Sequence, residues 1–325
     1  MKQMVSIKYY LSQNSIVGVC ILYYVLMALV VPGFFGANNT WNLVYNFIPL
    51  LILAIGQTFV ILTAGIDLSI TSIVAVASVV GGYLMSADSG LFSSPLITVL
   101  VGITGMVLAG AIIGLINGIA VTRLRMPAFM VTLTSLMFFS GLAIWLTQSK
   151  SIYNLPTLLV DAPYKTLLGL PYPVYLAGLV YLVSYLILNK TLVGEWIYAV
   201  GTNVKTSWLS GVNITSTIVF VYIISGVCAS LGAMIYTARL ETGSPVMGQN
   251  VLLDVIGAVI IGGTSLFGGK GKLQWTAAGA LLMTMLDNSL NLLGMSFFLI
   301  MIVKGAIILL TALFNQYQPK SLVHA

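Results

Sequence analysis

Read along the chain, apolar residues come in long blocks separated by short breaks marked by polar, glycine or proline residues. The blocks cover about residues 16–35, 45–63, 70–85, 95–121, 128–147, 174–188, 216–238, 252–266, 275–293 and 297–314. A helix needs about 20 apolar residues to cross a hydrocarbon core about 30 Å thick, and several blocks reach that length. The pattern predicts an all-α polytopic membrane protein with about ten transmembrane helices in one transmembrane domain over residues 1–325. An even number of spans places both termini on one side.

Composition sharpens this picture. The chain is 59% hydrophobic and 6% charged, whereas an ordinary soluble domain is about a quarter charged, so membrane lipid is its expected surrounding. Net charge is +6, but the basic residues are scattered singly through the connections. That argues against nucleic acid as a partner and leaves the charges to set topology. With the N-terminus in the cytoplasm, Lys2, Lys8, Arg123, Arg125, Lys190, Lys205, Lys270, Lys272 and Lys320 fall on the cytoplasmic side, and Lys150, Lys165 and Arg239 outside. Two polar connections are long: about 148–173, expected in the periplasm, and about 189–215, expected in the cytoplasm. The first block follows Lys2 and Lys8 as in a signal peptide, yet Pro32, Gly33 and Phe34 offer no A-x-A cleavage site, so a retained span is expected.

Little here supports chemistry. His324 is the sole histidine and sits in the C-terminal tail, so no Ser/His/Asp triad, Cys/His pair or H-E-x-x-H zinc site can be built. Cys20 and Cys228 lie in apolar blocks and read as small packing residues. The glycine-rich run 262–272 looks like a phosphate loop, but no glycine stands five residues before a G-K-[S/T] triplet, and Lys270 is followed by Gly271. An irregular cytoplasmic turn is expected there, with no bound nucleotide. The chain therefore reads as a passage without catalytic residues or a metal site, driven by an ion gradient or by a separate ATPase.

Gly110, Gly114 and Gly118 form a small-residue ridge that lets another helix approach closely. Asp67, in the segment Thr63-Ala64-Gly65-Ile66-Asp67-Leu68-Ser69, reads either as a cap on the third helix, an interaction of about 1 kcal/mol, or as a substrate contact. Asp287 and Lys304 fall within the bilayer at similar depth in the last two blocks, where an unpaired charge costs at least about 2.5 kcal/mol. They either form a structural ion pair or face a wet cavity with Asn117, Asn288 and Asn291. Asp67, Asn117, Asp287, Asn288, Asn291 and Lys304 are thus the candidates for a translocation pathway. Gly110-Ala111 with Met126 and Phe129 keeps the spacing of Gly279-Ala280 with Met295 and Phe298. An inverted five-helix repeat and coincidence both account for that match.

The segment Tyr198-Ala199-Val200-Gly201-Thr202-Asn203, continuing to Leu209-Ser210-Gly211-Val212-Asn213, resembles the cytoplasmic loop of ribose-type ATP-binding-cassette (ABC) sugar permeases. The Thr63 to Ser69 segment, Leu253-Asp254, Ile261-Gly262-Gly263-Thr264-Ser265-Leu266, Gly268-Gly269-Lys270-Gly271, Asn291-Leu292-Leu293-Gly294 and Met301-Ile302-Val303-Lys304 are similar to that family's signatures in the same order. The resemblance covers nearly the whole chain. It implies a multi-pass subunit of a bacterial inner membrane, both termini cytoplasmic, importing a small sugar by alternating access. It also implies partners: cytoplasmic ATP-binding-cassette subunits, a periplasmic sugar-binding protein, and a second permease copy or paralogue. ATP and magnesium would sit on the ATPase, leaving no cofactor on this chain. Gly201, Asn203, Leu209, Ser210 and Gly211 then fall in the segment that the ATPase moves. Glu195 stands where the family commonly has Arg, and Thr202 where a second glycine is usual, which leaves the partner ATPase open. Rival readings are an ion-coupled secondary transporter with Asp287 and Lys304 as relay, or an ABC permease for autoinducer-2, nucleosides or branched-chain amino acids.

Overall fold

The computed structural model describes residues 15–317. Lys2, Lys8, Lys320 and His324, to which the sequence assigned sides or a tail position, lie outside the described residues. Helices account for most of the described chain: α1 (Ser15–Val30), α2 (Ala37–Leu62), α3 (Ile70–Met85), α4 (Pro95–Thr122), α5 (Ala128–Thr147), α6 (Thr157–Val160), α7 (Tyr172–Lys190), α8 (Leu192–Thr202), α9 (Val204–Leu209), α10 (Ile214–Leu240), α11 (Leu252–Ile261), α12 (Leu273–Leu292) and α13 (Phe297–Tyr317). Among the described residues the only sheet is the small hairpin of β1 (Thr166–Leu167) and β2 (Leu170–Pro171), within the 148–173 connection.

Each apolar block becomes a helix, and α2, α4, α5, α7 and α10 are long and apolar enough to cross a membrane. The eighth block departs from expectation. Helix was expected over 252–266, but α11 stops at Ile261 after 10 residues, about 15 Å at 1.5 Å per residue, or half a hydrocarbon core. Gly262 and Gly263 end it: Gly263 takes φ +80°, and Gly262 lies against the Trp275 backbone of α12, where a Cβ would collide.

The centre of the bundle is α2, buried continuously from Ile48 to Leu62, as a helix apolar on all sides must be unless it faces lipid. It runs antiparallel to α10. Near one end Arg239 Nη1 donates to the Tyr45 carbonyl at 2.7 Å, and farther along Gly56 abuts Ser225 and Cys228. The glycine ridge of α4 lies on the other side of α10. A Cβ on Gly110, Gly114 or Gly118 would meet Ser230 and Gly226, the Tyr222 carbonyl, or the Val219 backbone. Close backbone approach through small residues is a main source of helix association in lipid, where apolar burial offers little driving force.

The outer faces are apolar, with Leu29 of α1 80% exposed, Met137 of α5 71% and Phe298 of α13 75%. Trp145, Tyr153, Tyr164 and Tyr172 are exposed at the end of the bundle that carries 148–173, as in the aromatic belt of a membrane interface.

The same neighbours recur in two halves. α4 packs on α10 as α12 packs on α2, and α3 packs on α4, α5 and α10 as α11 packs on α12, α13 and α2. With α2 and α10 antiparallel, the halves α2–α5 and α10–α13 are inverted. α1, lying on α12, and α7, lying on α2, break the symmetry. The Gly110/Gly279 match is not what carries the repeat, since Gly110 meets α10 whereas Gly279 meets α11.

Candidate functional site

At the end carrying 189–215, two short helices are set by their caps. The Thr191 hydroxyl accepts from the Gly194 N–H at 3.3 Å ahead of α8, and Asn203 Oδ1 accepts from the Thr206 N–H at 3.0 Å ahead of α9. The Ser210 N–H bonds the Thr206 carbonyl, and Gly211, at φ +83°, closes α9 with a 3.0 Å bond to the Trp208 carbonyl. Gly201 is buried against the Leu62 carbonyl at the end of α2, where any Cβ would clash, and that carbonyl also accepts from the Gly269 N–H at 2.9 Å. The Tyr198 hydroxyl donates to the Gly271 carbonyl at 3.0 Å. Burial pushes its phenol pKa upward, so the donor proton is kept at neutral pH. α8 is thus stitched to α2 and to the 262–272 turn, whereas α9 presents Trp208 (67% exposed) and Leu209 (70%) outward.

Asp67 lies in the irregular stretch 63–69 and is fully buried. Its Oδ1 accepts from the Ser69 N–H at 2.9 Å and the Ser69 hydroxyl at 2.5 Å, and its Oδ2 from the Ser225 hydroxyl of α10 at 2.7 Å. Asn117 Nδ2 of α4 donates to the Ser69 hydroxyl at 2.8 Å. The Gln57 amide, turned to satisfy both partners, donates to the Asp67 carbonyl at 3.1 Å and accepts from its N–H at 3.3 Å. The carboxylate therefore does not reach the first-turn amides of α3 as a simple cap. The chain folds back beside Gln57, and Asp67 together with Ser69 ties the 63–69 stretch to α2, α4 and α10. Asp67 and Asn117 belong to one network inside the chain.

A second polar cluster lies across α11, α12 and α13. Lys304 Nζ is 2.6 Å from Asp287 Oδ1 and 3.0 Å from Asp254 Oδ2. Asn291 Nδ2 donates to the Asp287 carbonyl at 2.7 Å, whereas Asn288 exchanges hydrogen bonds with Asn39 of α2 at 2.9 and 2.8 Å. The structure thus brings Asp287, Asn291 and Lys304 together, and places Asn288 at the α2 contact and Asn117 in the Asp67 network. Sequence reasoning missed Asp254 as the third member, although an acid in an apolar segment is itself a signal. It also missed Gln57 and Ser225.

The connection 241–251 carries a further feature. Gly243 exchanges backbone hydrogen bonds with Ile152 at 2.8 and 2.9 Å and lies against Ser78 and Gly82 of α3. By Gly248, at φ +79°, the chain lies against Val74 and Thr71, a descent of about 11 Å along α3 at 1.5 Å per residue. Residues 63–69 enter similarly from the opposite end. The second helix of each inverted half, α3 or α11, is therefore preceded by irregular backbone inside the bundle. At membrane depth such backbone is stable only where protein covers it or it borders a water-filled cavity. Unusually short helical segments in matching positions of inverted halves are a recurrent place for a transporter's site.

The chain matches the family model described as branched-chain amino acid transport system / permease component over residues 39–312. It is 33% identical over 314 residues to the ribose import permease protein RbsC of Haemophilus influenzae, covering 95% of this chain and 94% of that protein. It is 36% identical over 307 residues to RbsC of Escherichia coli K12, covering 93% of each. The D-allose transport system permease protein AlsC of the same organism is 32% identical over 276 residues, 85% of this chain and 82% of AlsC. No solved structure is a significant match.

Proposed function

We propose, on the premise that this chain belongs to the ribose-type family of ABC sugar permeases, that it forms the membrane passage of a bacterial importer for ribose. As a permease it is a transport component and not an enzyme. The observation that carries the passage is the pair of short helices α3 and α11 in matching positions of inverted halves, each preceded by irregular backbone inside the bundle, a construction suited to alternating access. In this reading both termini and residues 189–215 face the cytoplasm, and 148–173 faces the periplasm and a sugar-binding protein. Cytoplasmic ATP-binding-cassette subunits hold ATP and magnesium and push on α9 through Trp208, Leu209, Ser210 and Gly211, with Asn203 capping the helix and Gly201 passing the motion to α2. A second permease copy or paralogue completes the passage.

The cluster of Asp254, Asp287 and Lys304 acts as a fastener for α11. Its geometry supports that role over an ion relay, because Lys304 lies within 3.0 Å of both carboxylates. The test is uptake by proteoliposomes holding this chain with its cognate ATPase and binding protein, across labelled ribose, allose, arabinose and leucine. Ribose is expected to be taken up at the lowest concentration. Preference for another sugar would replace ribose and keep the importer, and leucine uptake would overturn the sugar assignment.

A further inference from the structure

We propose that Gln249 and Asn250, at the deep tip of the 241–251 segment, form a hydrogen-bonding station for the hydroxyl groups of an uncharged sugar crossing the membrane. The inference rests on the importer reading above and deepens it. The tip is reached after the chain has descended about 11 Å along α3, between the Gly243 and Gly248 contacts. There both amide residues are exposed, and so is Val246, at 50%. Among the described residues the structure gives neither side-chain amide a hydrogen-bond partner. Hydrocarbon cannot cover two free amides on a turn of irregular backbone. Their exposed side therefore faces water, in a passage completed by a second permease copy or paralogue.

The segment is built to hold them still. The Ser244 N–H donates to the Ser78 hydroxyl at 3.1 Å, and that hydroxyl pairs with Thr237 at 2.8 Å. Below, the Val251 N–H bonds the Gly248 carbonyl at 3.0 Å, closing a turn that carries both amides, and Gly248 supplies the positive φ at its start. The chemistry selects the ligand class. A side-chain amide both donates and accepts, as a sugar hydroxyl does, and it brings no charge that would require a counter-ion.

The test uses the complete importer in proteoliposomes, with Gln249→Cys and Asn250→Cys placed in a Cys20→Ala/Cys228→Ala background. A charged, membrane-impermeant thiosulfonate is expected to label both positions faster than Met137→Cys on the exposed α5 face, and ribose is expected to slow that labelling. Gln249→Leu and Asn250→Leu are each expected to lower ribose uptake roughly fivefold, the equivalent of one lost neutral hydrogen bond. Gln249→Asn and Asn250→Gln should recover most of it. Labelling no faster than at Met137→Cys, or full uptake by both leucine variants, overturns the station while wild-type uptake stands. Absence of ATP-dependent sugar uptake by the wild type would instead overturn the importer reading.

Discussion

Lys304→Met removes the one cation shared by two carboxylates. Asp254 loses a partner at 3.0 Å and Asp287 one at 2.6 Å, with side-chain exposures of 19% and 44%. Stranding a buried charge costs about 3–5 kcal/mol. Only Asp254 is buried enough to incur much of this, since solvent screens Asp287 and leaves it at most about 1 kcal/mol. The expected loss is therefore about 3 kcal/mol. Because the penalty comes from the stranded Asp254 charge, Lys304→Met/Asp254→Asn should return to within about 1.5 kcal/mol of the parent, the size of one lost neutral hydrogen bond. Denaturant unfolding in detergent micelles, followed by tryptophan fluorescence, would measure both. A single variant within about 0.5 kcal/mol of the parent, the scatter typical of surface substitutions, would refute the fastener. So would a double variant no more stable than the single.

Four further outcomes follow from other contacts. Gly114→Val places a side chain against the Tyr222 carbonyl and Ile223 backbone and should destabilise by about 1–3 kcal/mol, whereas Gly178→Val, with open space around it, should be tolerated in the same thermal-aggregation assay. Ser225→Ala removes the α10 donor to Asp67 Oδ2 and should cost about 2 kcal/mol, checked by chemical unfolding. Trp208→Ala, on the outward side of α9, should weaken ATPase binding to reconstituted permease by roughly thirtyfold, as at an aromatic hot spot of about 2 kcal/mol. Exposed Glu195 is expected to meet a basic group on the ATPase, so Glu195→Arg should impair coupled ATP hydrolysis, and normal coupling would count against that contact.

The order of the ten apolar helices was legible because lipid demands long apolar runs, and a run such as 95–121 needs no partner to be read. Helix length at 252–266 was not legible, because hydropathy continues to Leu266 while the backbone stops at Gly262 for a steric reason that lies on α12. The depth of 241–251 was hidden for a similar cause. Its polar sequence reads as a surface loop, and only the contacts of Gly243 and Gly248 with α3 reveal the descent. Asp287 and Lys304 stood out as charges in apolar helices, and depth alone put them together. Asp254 sits at the start of a short helix, so distance along the chain gave no cue that it shares Lys304. Asp67 read as a cap or as a substrate contact because its local sequence permits either, and its partner Ser225 lies 158 positions away.

The central claim is that this chain is a passage powered by a separate ATPase, and one uptake experiment tests it most directly. Proteoliposomes containing the permease, ATPase and loaded binding protein would be given labelled ribose with ATP, with a non-hydrolysable analogue, or with an imposed proton or sodium gradient alone. Accumulation with ATP only is the predicted result. Accumulation by the permease alone under an ion gradient would contradict it and turn Asp254, Asp287 and Lys304 from fastener into relay.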